Sequence, residues 1–264
     1  MIASLIQVPS ETKIKKHLRK IIFGGHMFCP WCYSRQVYRC EDRYRCRKCR
    51  RSFSLLSGTW MSGMKLSLRT FWALLWCWTQ KVPVLQTMKL CHVSEEAVRR
   101  WFSQFRLNLP QIEPILRDIV QMDEAYFKSL SLIMAKQQGS RKIAHQIIFN
   151  NSVNKGEAAH FLFQYVRPNT KLHTDGAGIY TNINKLWPVK HKKDIHSKWE
   201  FEHTSEIEGM FGVLRTFIRR MYHHATPKYL PEIVGEFCLR FSHPEIFDSP
   251  LSYLKYSIPP VPFD

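Results

Sequence analysis

The apolar positions of the chain change period several times, and each change marks an element. From Leu66 to Thr79 they recur at helical spacing, with Leu68, Phe71, Trp72, Leu75 and Trp76 as a core-facing set. Val84 to Leu90 predicts a short second helix, and Cys91-His92-Val93 a turn. Ser94 suits a helix N-cap, Glu95 and Glu96 suit the positive helix end, and a third helix runs to about Arg106. Helix, tight turn and capped helix predict a helix-turn-helix over 64–108, although a plain helical hairpin has the same pattern. Asn108-Leu109-Pro110 punctuates a boundary.

Beyond that boundary the pattern turns strand-like. Asp118 to Phe127 reads as a strand on which Asp123 faces away from its apolar neighbours. Leu130–Lys136 and Lys142–Phe149 read as two more strands, joined by the polar turn Gln137–Arg141. Glu157–Val166 predicts a helix stopped by Pro168-Asn169. Lys171 to Gly178 is a short strand running into a Gly-rich turn, with Asp175 at its tip. Lys190–His196 predicts a fifth, edge strand. Thr204–His223 is a long helix with Ile207, Phe211, Leu214 and Ile218 on its apolar stripe.

Charge adds a partner to this picture. The chain has 264 residues with 39 Lys and Arg against 21 Asp and Glu, a formal net charge of +18. The surplus points to a polyanion, nucleic acid first and anionic membrane second. It is uneven: residues 1–116 hold 20 basic and 6 acidic residues, and residues 117–264 hold 19 and 15. No stretch approaches the roughly 18 uninterrupted apolar residues of a membrane span. Met1 to Val8 lacks the basic region and cleavage site of a secretion signal. The expectation is a soluble, unsecreted protein, cytoplasmic and nucleoid-associated if bacterial.

Eight cysteines in such a chain suggest metal or core use rather than disulfides. Cys29-Pro30-Trp31-Cys32 and Cys46-Arg47-Lys48-Cys49 are two C-x2-C knuckles separated by 13 residues. That is zinc-ribbon spacing: each knuckle turns two thiolates to one side, and together they complete a tetrahedral sulfur cage. The segments Val37–Cys40 and Arg43–Arg45 alternate as a hairpin between them. With all four positions taken by thiolate, the Zn2+ is structural. Cys40 reads as a hairpin side chain, and Cys77, Cys91 and Cys238 as isolated core thiols. The ribbon is dense in basic residues, of which Arg45, Lys48, Arg50 and Arg51 are the expected phosphate contacts, as are Arg99 and Arg100 on the capped helix.

Three acids stand out in the second half: Asp123 on its first strand, Asp175 at the end of its fourth, and Glu208 in the late helix. Glu208, Arg215 and Arg219 are spaced by 7 and 4, so they share one helix face, as an exposed charge run also would. Three converging carboxylates hold two Mg2+ ions, the arrangement for in-line phosphoryl transfer. The order strand, hairpin, helix, strand, helix predicts an α/β, RNase H-like core: a mixed five-stranded sheet with helices, preceded by the ribbon and the helix-turn-helix. The expected organisation is an N-terminal extension (1–26), the ribbon (27–58), the helix-turn-helix (64–108), the catalytic domain (115–248) and a C-terminal tail (249–264).

Several stretches together resemble the DDE transposases of bacterial insertion sequences, in the zinc-ribbon group related to the eukaryotic Merlin transposons. They are the two knuckles followed by Arg50-Arg51-x-Phe53-Ser54, then Ser57-Gly58-Thr59-Trp60, Met122-Asp123-Glu124-Ala125-Tyr126-Phe127, Thr174-Asp175-Gly176, His203-Thr204-Ser205-Glu206-Ile207-Glu208-Gly209 and Tyr222-His223-His224. The resemblance covers roughly residues 27–248. It implies that Asp123 and Asp175 are the first two acids of a catalytic triad using Mg2+ or Mn2+. Many bacterial relatives have Asn at Ser205 and Lys at Arg215, whereas Merlin-like members use the Glu of the Ile-Glu pair. Glu208 is thus the expected third acid, Glu206 the alternative, and Arg215 a phosphate contact that cannot act as an acid. The implied partners are double-stranded DNA, both transposon ends and target, with a dimer or larger assembly on DNA and no membrane. The implied function is a transposase that binds terminal inverted repeats, then cuts and joins DNA. A catalytically inactive DNA-binding derivative and a zinc-ribbon nuclease without strand transfer are the alternatives. His173, His196, His203, His223 and His224 lie near these motifs and are assigned no catalytic role. Lys190, Lys192 and Lys193 are expected to line a DNA path or an exposed edge strand.

Overall fold

A computed structural model describes residues 8–193, 204–223 and 225–259. It divides into two compact units, residues up to Pro110 together with the segment from Glu245 onward, and Gln111–Pro244.

The first unit opens with helix α1 (Glu11–Phe23), capped by Ser10 and ended by Gly24 in the left-handed region. It was expected only as an extension. Its buried residues Ile14, Leu18 and Ile22 recur every fourth position, which makes one apolar face. The ribbon follows: β1 (Val37–Cys40), β2 (Arg43–Cys46) and a two-residue β3 (Ser52–Phe53) form an antiparallel sheet in that order. The third strand is too short to show a period, yet it places the fully buried Phe53 ring against Tyr44 and Trp31.

Three helices come next. Ser67 caps α2 (Leu68–Thr79), which buries Leu68, Phe71, Trp72 and Leu75. α3 (Val84–Cys91) ends at His92 in the left-handed conformation, and Ser94 caps α4 (Glu95–Leu107) with Glu95 and Glu96 in its first turn. The expected helix, turn and capped helix are therefore present. Cys77 and Cys91 are not isolated: their sulfurs stand 3.9 Å apart. The segment expected as a tail is instead part of this core. α8 (Pro250–Ser257) brings Tyr253 against Trp60, Trp78 and Phe105, and the Tyr253 hydroxyl donates to the Phe105 carbonyl at 2.9 Å. The physical reason is the aromatic cluster on α2 and α4, which buries its remaining surface under α8.

The second unit is a five-stranded mixed sheet in the order β6-β5-β4-β7-β8. β4 (Ile119–Phe127), β5 (Leu130–Gln137) and β6 (Ile143–Ile148) form an antiparallel meander. α5 (Lys155–Tyr165), started by an Asn154–Glu157 capping box, crosses over to β7 (Lys171–Thr174), which pairs parallel with β4. β8 (Lys190–Lys193) adds parallel at the edge; the remainder of the strand expected to reach His196 lies outside the described residues. On one sheet face Val120, Met122, Ile133 and Ala135 pack with Ala158, Phe161 and Leu162 of α5. On the other, Ala125, Leu132 and Met134 pack with Ile207, Met210 and Leu214 of α6 (Ser205–Tyr222) and Val234 and Phe237 of α7 (Leu230–Ser242). This is the mixed-sheet, RNase H-like architecture.

Candidate active site and zinc ribbon

The sheet register decides where the acids meet. β4 and β7 run parallel with Ile119 beside Lys171, Val120 beside Leu172 and Gln121 beside His173. Continuing that step carries Asp123 alongside Asp175, one position past the end of β7. There β4 has lost its neighbour, so its edge opens and side chains from either face can reach the gap. Carboxylate oxygens of Asp123, Glu124 and Asp175 all lie within 4.8 Å of one another.

Each acid is held locally. Asp123 Oδ1 accepts the Glu124 backbone N–H at 2.8 Å, and Asp175 Oδ1 accepts that of Ala177 at 3.0 Å. Glu124 points to the α5 face, where the buried Tyr180 hydroxyl and the Tyr126 hydroxyl (3.2 Å) both donate to it. Thr174, the last residue of β7, shares a 2.9 Å hydrogen bond with His191 of β8. Burial pushes the Asp123 carboxyl up to about 7, and the charges of Glu124, Asp175 and Glu208 add to the rise. Burial also raises Glu124, against the pull of the Tyr180 hydrogen bond. A half-buried group of converging acids is chemically set for a divalent cation. Hard cations take carboxylate oxygens, and an Mg2+ octahedron needs oxygens about 2.9 Å apart at adjacent positions and about 4.2 Å at opposite ones. The three acids converge closely enough to share one cation after small side-chain adjustments.

Glu208 is near this group but not within it. It lies exposed one turn into α6, and Oε1 accepts from the Thr204 hydroxyl at 3.0 Å. Glu206, its alternative, is turned away into an ion pair with Lys136 of β5. Arg215 and Arg219 are exposed on α6, as is Glu208. Glu124 was not singled out from sequence. The available signal was its place beside Asp123 in a strand, but alternation assigned it to the opposite sheet face, and only the open edge reconciles the two. His173 is buried on β7, and His223 ends α6 with a left-handed φ of 62°. His196, His203 and His224 lie outside the described residues.

The four knuckle cysteines also converge. Their sulfurs lie within 4.8 Å of one another, with Cys29–Cys49 at 3.5 Å and Cys32–Cys46 at 3.6 Å, and all four are free thiols. A tetrahedral ZnS4 cage with bonds near 2.3 Å has edges of about 3.8 Å, so the sulfurs fit Zn2+. The residue after each knuckle, Tyr33 (φ 54°) and Arg50 (φ 60°), adopts the left-handed turn that completes it. Gly58 (φ 83°) lies against the first knuckle, where a Cβ would stand 2.8 Å from that of Pro30. Burial raises the Cys29 thiol to about 11, while the Cys49 backbone N–H helps lower Cys46 to about 7. Arg45, Lys48, Arg50 and Arg51 are exposed around the cage, with the Arg51 guanidinium 5.7 Å from the Trp31 ring centre. On α4, Arg100 is exposed and Arg99 is paired with Glu95 at 2.8 Å.

Residues 115–242 match the model of the ISXO2-like transposase domain, and residues 9–52 match that of the transposase zinc-ribbon domain. A curated relative, an uncharacterized protein in transposable element ISH50 of Halobacterium salinarum, is 27% identical over 126 residues. The match covers 46% of this chain and 43% of the relative's length. Among solved structures, the chain is similar to one in a simian T-cell lymphotropic virus intasome (12% identity, 65% of this chain, 68% of that chain, TM-score 0.38). It is also similar to the catalytic core domains of BIV integrase (15%, 46% and 81%, TM-score 0.33) and HTLV-2 integrase (12%, 49% and 87%, TM-score 0.33). The acid-bearing domain thus matches the ISXO2-like transposase domain and the ribbon matches the transposase zinc-ribbon domain, both of them transposase models.

Proposed function

We propose that this protein is a DNA transposase that binds the terminal inverted repeats of its element, then cleaves and joins DNA by metal-dependent phosphoryl transfer. The observation that carries the reading is the β4–β7 register, which sets Asp123 beside Asp175 at an open sheet edge. Asp123 and Asp175 are the paired ligands, and Glu208 completes the triad from α6. Bound Mg2+ or Mn2+ supplies Lewis-acid activation of the attacking oxygen and neutralises charge on the leaving one.

The chain's own residues do the rest. Tyr180 and Tyr126 fix Glu124 at the rim of the site, where its charge strengthens the hold on a cation. Arg215 and Arg219 on the Glu208 face hold backbone phosphates beside the acids. Around the ribbon, Arg45, Lys48, Arg50 and Arg51, with Arg99 and Arg100 on α4, contact double-stranded DNA at the element's ends. The ribbon's Zn2+ is structural, because four thiolates leave no open coordination position. Joining two ends to a target calls for a dimer or larger assembly on DNA.

The test uses duplexes carrying the DNA that flanks the gene. Purified protein should nick and join them with Mg2+ or Mn2+, and Asp123→Ala or Asp175→Ala should abolish this while end binding persists. Specific binding with no cleavage in either metal would leave a DNA-binding protein derived from a transposase.

A further inference from the structure

The first turn of α6 is gripped from the sheet at successive residues. Gln121 and Lys136 face each other across β4 and β5 on the α6 side of the sheet. The buried Gln121 carboxamide oxygen accepts the Ile207 backbone N–H at 3.1 Å, one of the donors that a helix start leaves without an internal partner. Lys136 donates to the Glu206 carboxylate. Its ammonium also lies 5.8 Å from the Phe241 ring centre, and its side chain is only 8% exposed. A lysine so enclosed does not reach DNA. Glu206 and Ile207 are the two residues immediately before Glu208, and Gln121 is two residues before Asp123 on the same strand face. One cross-strand pair therefore ties the backbone that carries Glu208 to the strand that carries Asp123.

We infer that Gln121 and Lys136 are positioning residues that fix Glu208 relative to Asp123 and so set the strength of divalent-metal binding. The inference rests on the triad reading given above. It also gives Glu206 its job: the carboxylate is the anchor for Lys136, which leaves Glu208 as the acid that faces outward. Buried polar groups of this kind are costly unless satisfied, so neither partner is a neutral ornament of the core.

The experiment measures Mn2+ binding to the full-length protein by calorimetry and by electron paramagnetic resonance, without DNA. Gln121→Met and Lys136→Met should each weaken Mn2+ binding at least fivefold with zinc content unchanged. Lys136→Arg, which keeps the ion pair, should restore most of it. Tyr222→Phe is the control for helix loosening: its hydroxyl donates to the buried Glu236 at 2.6 Å at the far end of α6. It should lower the melting temperature without changing Mn2+ affinity. If the Met variants bind Mn2+ like wild type, or if Tyr222→Phe weakens binding equally, the positioning role is wrong. The triad reading stands or falls separately, on whether Glu208→Gln abolishes Mg2+-dependent cleavage by protein that otherwise cuts.

Discussion

Asp123 shows at one residue how clustered, half-buried acids strain the fold that holds them. Its carboxyl keeps its proton up to about pH 7 in the metal-free protein, against about 3.9 in an unfolded chain. Between those values the folded state binds more protons than the unfolded one. The group's contribution to stability is therefore full at low pH and is lost as pH rises through 7. Asp123→Asn removes the charge yet keeps an oxygen for the Glu124 N–H. Thermal unfolding of metal-free protein should show the variant more stable than wild type at pH 8, by on the order of 1 kcal/mol after discounting for partial exposure. The gain should shrink at pH 5; a gain that grew as pH fell would contradict the assignment. At this scale the sequence was informative about chemistry and less so about direction. The knuckle cysteines, Asp123 and Asp175 are legible from spacing. The convergence of Glu124 is not, because strand alternation points it away, and the open edge that cancels the alternation depends on where β7 stops.

Elements were legible where their own pattern was long. α2, α4, β4, β5 and α6 declare themselves through buried stripes and caps, and their observed bounds lie within a few residues of the expected ones. α1 has a clean four-residue repeat but no neighbouring motif to draw attention to it. α8 is a different case. Its eight residues carry little pattern, and what makes it an element is the aromatic core it covers from 148 residues away along the chain. Cutting the chain after Asp248 should therefore destabilise the first unit rather than trim a tail. Within that unit, Phe105→Ala should cost about 3–5 kcal/mol, since the Phe105 ring meets Trp60, Phe71, Trp78 and Tyr253. Chemical denaturation of the full chain measures both. A truncated protein that unfolds like the intact one would refute the packing role of α8.

Across the whole molecule, the proposed function gives the charge of +18 two uses. The first 116 residues hold few acids, and in that proposal their basic residues serve recognition around a zinc-pinned ribbon. The remainder supplies the proposed metal ligands and carries Arg215 and Arg219 exposed on the helix that bears Glu208. Among the described residues, no helix is long and apolar enough to cross a membrane. Removing zinc with a chelator should unfold the ribbon and abolish selective end binding, because strands of four, four and two residues cannot hold a core without their cage. Fluorescence anisotropy with end-bearing and unrelated duplexes reads this loss of selectivity, and re-addition of Zn2+ should restore it. Unchanged discrimination after zinc loss would assign recognition elsewhere. The central claim is that the Asp123–Asp175 pair cuts DNA. Its most direct test is strand nicking at the end of the element by wild-type protein, compared with Asp175→Ala at matched end occupancy. The account predicts Mg2+- or Mn2+-dependent nicks from wild type and none from the variant. Equal nicking by both, or none by wild type bound to its ends, would contradict it.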